Sequence, residues 1–223
     1  MTLKLNGSSS GYTAIDAPAT AGSNTLVLPA NNGSAGQVLQ TDGNGNLTWV
    51  TLSTGKILQV QNFLKTDYQA CTPDTQLVWK DTAMTKAITV SANTSKILVS
   101  FMLFGEFAGS QAYNHYIRIK RAITGGATSY IGGADSGNRV GTLMIGANGA
   151  EDGDGSSTPT QMSISDYVDD PFGGSGTVAA VTYTIQHTSH GSDTFHLNRS
   201  AATTDSDAHE DGVSWLTLKE VGA

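Results

Sequence analysis

From residue 115 the chain alternates: Ile117 and Ile119 fall on one side of an extended backbone, Arg118 and Lys120 on the other. Residues 181–186 repeat the pattern with Val181, Tyr183 and Ile185 as the buried set, and Phe195 and Leu197 do so around His196. Apolar runs at 56–62, 76–79, 87–90, 162–165 and 215–221 have strand length, and Gly, Thr and Ser interrupt every stretch that would otherwise take a helical period. A period of two puts one face toward a core and one toward water. With turn signals between the strands, the pattern predicts an all-β chain whose larger part, residues 55–223, is a jelly-roll-like antiparallel β-sandwich.

Residues 96–105 break the alternation. Ile97, Val99, Phe101 and Leu103 share one face, while Leu98, Met102 and Phe104 make the other face apolar as well. A strand apolar on both faces is covered on both, either by a loop over a central strand or by another subunit. In the second case Leu98, Met102 and Phe104 are the oligomer interface.

The first 54 residues differ in texture. Turn residues recur every eight to twelve positions and the strands between them are short. Val38-Leu39 and Leu47-Thr48-Trp49-Val50 flank Asp42-Gly43-Asn44-Gly45-Asn46, whose Asp-Gly and Asn-Gly pairs supply the positive φ that a tight turn needs. The prediction is a small β-hairpin module, jointed to the sandwich at Ser53-Thr54-Gly55. So little apolar mass makes independent folding hard, and the piece is expected to pair with copies of itself or dock onto a particle.

The net charge of −7 argues against nucleic-acid binding, which needs a basic face to release counterions. No apolar run is long enough to span a bilayer, so no membrane insertion is expected, and residues 1–7 lack a signal-peptide core. A single cysteine, Cys71, excludes an intrachain disulfide framework and fits synthesis in a reducing cytoplasm. Charged residues make up only 14% of the 223-residue chain. A surface rich in hydroxyl and amide groups suits an exposed particle protein better than a metabolic enzyme.

The N-terminal segment, with Thr25-Leu26-Val27-Leu28-Pro29 followed by Gly36-Gln37-Val38-Leu39-Gln40-Thr41-Asp42-Gly43-Asn44-Gly45-Asn46-Leu47-Thr48-Trp49-Val50, resembles the N-terminal module of bacteriophage fibre and virion structural proteins, especially from marine and cyanobacterial phages. The remainder resembles the C-terminal β-domains of the same class through Ile57-Leu58-Gln59-Val60, Ser95-Lys96-Ile97-Leu98-Val99, Ile117-Arg118-Ile119-Lys120-Arg121, Val181-Thr182-Tyr183-Thr184-Ile185-Gln186, Leu197-Asn198-Arg199-Ser200 and Trp215-Leu216-Thr217-Leu218-Lys219-Glu220-Val221, in that order. The resemblance implies a virion component made in the host bacterial cytoplasm, a homotrimeric tail fibre or spike. Residues 1–54 would contact other virion proteins and residues 55–223 would form the head. A capsid decoration protein without receptor recognition is the alternative, with a carbohydrate-active enzyme or a free carbohydrate-binding module behind it.

No catalytic set emerges, so no enzymatic activity and no cofactor are expected. Gly173-Gly174-Ser175-Gly176 lacks the spacing of a nucleophile elbow. Glu151-Asp152-Gly153-Asp154 has no bidentate glutamate at the right distance for a calcium loop. Asp205, Asp207 and His209 would be the ligands if the acidic loop before the last strand held a cation; a solvated loop is the preferred reading. His187, His190 and His196 are read as solvated or hydrogen-bonded side chains. The remaining chemistry is a binding surface. Tyr113, His115, Tyr116, Arg118, Tyr130, Asp135 and Arg139 gather between residues 105 and 140. Flat rings beside fork-shaped donors and acceptors are what recognition of a host surface polysaccharide requires.

Overall fold

The computed structural model describes residues 3–51, 57–108, 115–133, 136, 139–145, 159–202 and 210–222. The chain divides into two compact units, residues 1–54 and 55–223.

The first unit holds two small antiparallel pairs. β1 (Leu3–Asn6) pairs with β2 (Tyr12–Ile15), and β3 (Gln37–Thr41) with β4 (Leu47–Thr51). The turn joining β3 to β4 is built by Asp42, whose carboxylate accepts from Asn44 N at 2.7 Å, Asn46 N at 3.2 Å and Asn46 Nδ2 at 2.7 Å. Gly43 and Gly45 take the left-handed region at φ 84° and 93°, which is why glycines stand there. Val27 adds a further rung by donating to Gly45 O and accepting from Leu47 N, each at 2.8 Å. Trp49 Nε1 donates to Asn31 O at 2.8 Å, and its ring lies so close over Gly33 that a Cβ there would sit 2.6 Å from it. None of this makes a core: no described residue of the unit is buried.

The second unit is a sandwich of two antiparallel sheets. One contains β5 (Ile57–Lys65), β15 (Ser214–Val221), β8 (Lys96–Phe107) and β12 (Thr160–Asp169), hydrogen-bonded in that order. The other runs β7 (Lys80–Thr89), β13 (Ala180–Ser189), β9 (His115–Ile123) and β10 (Thr128–Ile131), with β11 (Met144–Ile145) also on β9. Apart from β9, β10 and β11, which follow one another in one sheet, the chain crosses from sheet to sheet between these strands, and β5 and β15 lie side by side, which is the jelly-roll connectivity expected from the sequence.

Two strands of the first sheet are interrupted. Met102 pairs with Trp215 on one edge of β8 and Ser163 on the other, while Gly105 pairs with Leu197 and Thr160. The segment β14 (Phe195–Leu197) therefore lies on the same edge as β15, and β6 (Gln69–Cys71) continues the line of β5 beyond it. Asn198, in the left-handed region at φ 68°, stands where both lines break. Its Nδ2 donates to Lys65 O at 2.8 Å and Asp67 O at 3.0 Å, and its Oδ1 accepts from Ser214 Oγ at 2.5 Å.

The core is where the alternation put it. Ile97, Val99, Phe101 and Leu103 of β8 face Ile117, Ile119, Val181, Tyr183 and Ile185 of the opposite sheet, all fully buried. Between the sheets an ionic triad replaces apolar contact: Asp169 accepts from Arg121 Nη1 at 2.6 Å and from the Tyr183 hydroxyl at 2.5 Å. One sequence expectation shifts. Residues 76–79 are not a strand, because Leu77 sits at φ 60° and the ladder starts at Lys80. The single cysteine, Cys71, lies buried in the short strand β6.

Candidate functional site

The outward faces of the two sheets differ in chemistry. On β9 the even positions Tyr116, Arg118 and Lys120 point away from the core, and β10 places Tyr130 directly opposite Lys120. The Arg118 guanidinium carbon lies 3.7 Å from the centre of the Tyr130 ring and 4.0 Å from that of Trp79. Cation–π attraction from two rings, with Arg118 Nε donating to Gln186 Oε1 at 2.8 Å, fixes the stack. Gln186 Nε2 in turn donates to Asp81 Oδ1 at 2.6 Å, and Lys120 donates to Asp81 Oδ2. Burial alone would raise the Asp81 carboxyl, but the Lys120 and Gln186 hydrogen bonds outweigh it and hold the group below its ordinary range. The result is a charged and aromatic platform carried on β9, β10, β13 and β7 and on the connection ahead of β7, with Tyr130 52% exposed.

Of the residues singled out for recognition, Tyr116 and Tyr130 stand on this face, and Arg139 is exposed beside it in sequence, bridged to Ser136. His115 does not: it is fully buried, because it shares the inward phase of Ile117 and Ile119. Tyr113 and Asp135 lie outside the described residues. Trp79, Asp81 and Gln186 were absent from the sequence set. The outward phase of Gln186 was legible from Val181, Tyr183 and Ile185, whereas nothing local marks Trp79, which arrives from the connection ahead of β7.

The outer face of the other sheet carries apolar clusters on either side of a polar row made by Asn62, Thr217, Ser100 and Asp166. Leu98, Met102 and Phe104 point outward from β8 and are half-buried. Met102 is flanked by Trp215 and Ser163, and Trp215 by Leu64; Leu98 is flanked by Lys219 and Val168, and Lys219 by Val60. Leu64, Val60 and Val168 are 55%, 54% and 59% exposed. Lys219 is tied to Asp166 at 2.9 Å, which neutralises it. The structure thus brings the three interface candidates together on one surface with Trp215, Val60, Leu64 and Val168.

Among the described residues no three His, Cys, Asp or Glu side chains gather closely enough to hold a metal. Asp205, Asp207 and His209 lie outside the described residues, as does the 151–154 loop. His187 is fully buried and bonded to His115, and His196 Nδ1 is 3.0 Å from the Tyr68 hydroxyl. No helix among the described residues is long and apolar enough to cross a membrane.

No family model matches the chain, and no curated protein does. Among solved structures it is similar to a chain in the structure of the infectious bursal disease virus Gx strain, at 9% identity and a TM-score of 0.37. The alignment covers 98% of this chain and 45% of that one, so the chain spans under half the length of that neighbour. A likeness this low carries no argument, and the fold rests on the strand pairings themselves.

Proposed function

We propose that the chain is a bacteriophage virion structural protein, a homotrimeric tail fibre or spike that attaches to the particle through residues 1–54 and adheres to the host surface through its sandwich. One observation carries the reading: residues 1–54 form strands and ordered turns, yet no described residue of the unit is buried. Leu3, Leu5, Tyr12, Ile15, Leu26 and Leu28 are all more than half exposed. Two-stranded pairs without a core are marginal in water, so such a unit gains its stability from other copies or from a particle. The exposed apolar side chains Leu64, Val60 and Val168, with Trp215, Leu98 and Met102, on the outer face of the β5–β15–β8–β12 sheet support self-association of the heads. The Trp79–Arg118–Tyr130 platform supports adhesion to polysaccharide by binding rather than turnover, with three modest sites per trimer adding by avidity.

Light scattering on the full-length protein tests the assembly: a mass near three chains is expected, and a monomer at micromolar concentration overturns the trimer. Host adsorption tests the role. Particles whose copies lack residues 55–223 should adsorb poorly, and unchanged adsorption would make the protein a capsid ornament instead.

A further inference from the structure

Independently of that reading, the sandwich contains a buried pair of imidazoles that nothing in the proposed function uses. His115, opening β9, and His187, on β13, both face the opposite sheet and are fully buried. There they meet Phe107 of β8 and Phe195 of β14, which are directly paired across strands. The ring centroids of Phe107 and His115 are 4.3 Å apart, those of Phe107 and Phe195 4.6 Å, and the two imidazoles stack at 5.3 Å with 15° between planes. His115 Nδ1 and His187 Nε2 lie 3.1 Å apart, a hydrogen bond in which one ring donates and the other accepts. The other two nitrogens, His115 Nε2 and His187 Nδ1, are buried and make no well-formed hydrogen bond among the described residues, although the backbone carbonyls of Ala108 and Cys71 approach the rings.

Counting protons defines the states of the pair. Two neutral imidazoles hold two ring protons, and one of them occupies the central bond. The other cannot cap both outward nitrogens, so one lone pair stays buried and unsatisfied. A third proton caps both ends but places a charge in an aromatic pocket. A fourth puts hydrogens on both central nitrogens and abolishes the bond.

The surroundings set which state prevails. β6 contributes Cys71, whose thiol burial pushes up to about 12, so it is neutral. β8 and β14 contribute the phenyl rings, and β7 places Lys80, paired with Asp74 at 2.7 Å, opposite His187 in register. The connection after β13 contributes Asp193, whose charge favours protonation of His115, and the carbonyls of Ala108 and Cys71 favour it at His115 and His187 respectively. Burial outweighs all of these and holds both imidazoles well below their ordinary 6.5.

We infer that the His115–His187 pair, carried on neighbouring strands of one sheet and packed on Phe107 and Phe195 of the other, is an acid-sensitive latch on that packing, closed while the imidazoles share the central hydrogen and opened when both take up protons. The sign follows from linkage. Stability is complete above the unfolded-chain value near 6.5 and is lost as pH falls below it, because the unfolded chain then binds protons that the folded pair excludes. Each excluded proton lowers the folding equilibrium constant about tenfold per pH unit, so the pair contributes up to about 100-fold per unit.

The test is thermal melting of the full-length protein between pH 7.5 and 4.5, beside the double variant His115→Phe/His187→Phe, together with a histidine-resolved NMR titration of the unaltered protein. The expected result is a steep loss of melting temperature in the unaltered protein, a flatter curve in the variant, and both imidazoles still neutral at pH 6. Parallel melting curves would overturn the latch. So would either imidazole titrating near 6.5, a readout that stands even if the double variant does not fold.

Discussion

At the scale of single residues, phase decides consequence. Phe101 and Phe104 lie three positions apart on β8, yet Phe101 is fully buried and Phe104 is on the outer face. Phe101→Asp should abolish cooperative melting, because it buries an unpaired charge where a well-packed ring stood, a loss beyond about 4 kcal/mol. Phe104→Asp should melt measurably below the unaltered protein but still fold. The triad gives a second contrast. Asp169→Asn leaves the Arg121 guanidinium without its buried partner and should cost about 3–5 kcal/mol, whereas Tyr183→Phe removes one hydrogen bond and should cost about 1–2 kcal/mol. Chemical denaturation of both variants checks the order, and equal losses would show that the ion pair is not what holds Asp169. On the platform, Arg118→Lys keeps the charge but loses the planar stack between Trp79 and Tyr130. It should weaken attachment to host polysaccharide severalfold while shifting stability by about 1 kcal/mol. Unchanged attachment would place recognition elsewhere.

At the scale of elements, most of the sandwich strands were legible because they obey a period of two against one core, and β8 because its inward positions do so although its outer face is apolar in part. The same rule carried Arg118, Lys120 and the outward trio on β8 to their correct faces, and it also contained the answer for His115, whose phase matches Ile117. What escaped were features set by distant partners. The interruption shared by β5–β6 and β14–β15 depends on Asn198 reaching Lys65 and Asp67 across the fold, and a polar residue before Arg199 announces nothing of this. Trp79 joins the platform only because β7 lies next to β13, a neighbour relation that no window of sequence encodes. The outer faces make a prediction of their own. Leu98→Glu together with Met102→Lys alters side chains that point away from the core, so the melting temperature of the head should change little while the mass in solution falls toward one chain. A trimer that survives both substitutions would exclude this face from the seam.

At the scale of the whole molecule, the two units divide the work between a piece without a core and a piece with one. Removing residues 1–50 should leave a head that melts cooperatively on its own but no longer enters particles; normal incorporation would refute the anchoring role. The pairing of β5 with β15 has a different consequence, one of timing. Residues 57–65 form their ladder with residues 214–221, so the earliest strand of the sandwich has no hydrogen-bonding partner until almost the entire head has been synthesised. Folding of this part therefore waits on residues 214–221 and is dominated by non-local closure, the regime of slow milliseconds-to-seconds folding. During that interval β5 presents an open edge bearing Ile57, Val60 and Leu64 to the identical strand on a neighbouring nascent chain, so crowded synthesis on one message favours mispairing as well as assembly.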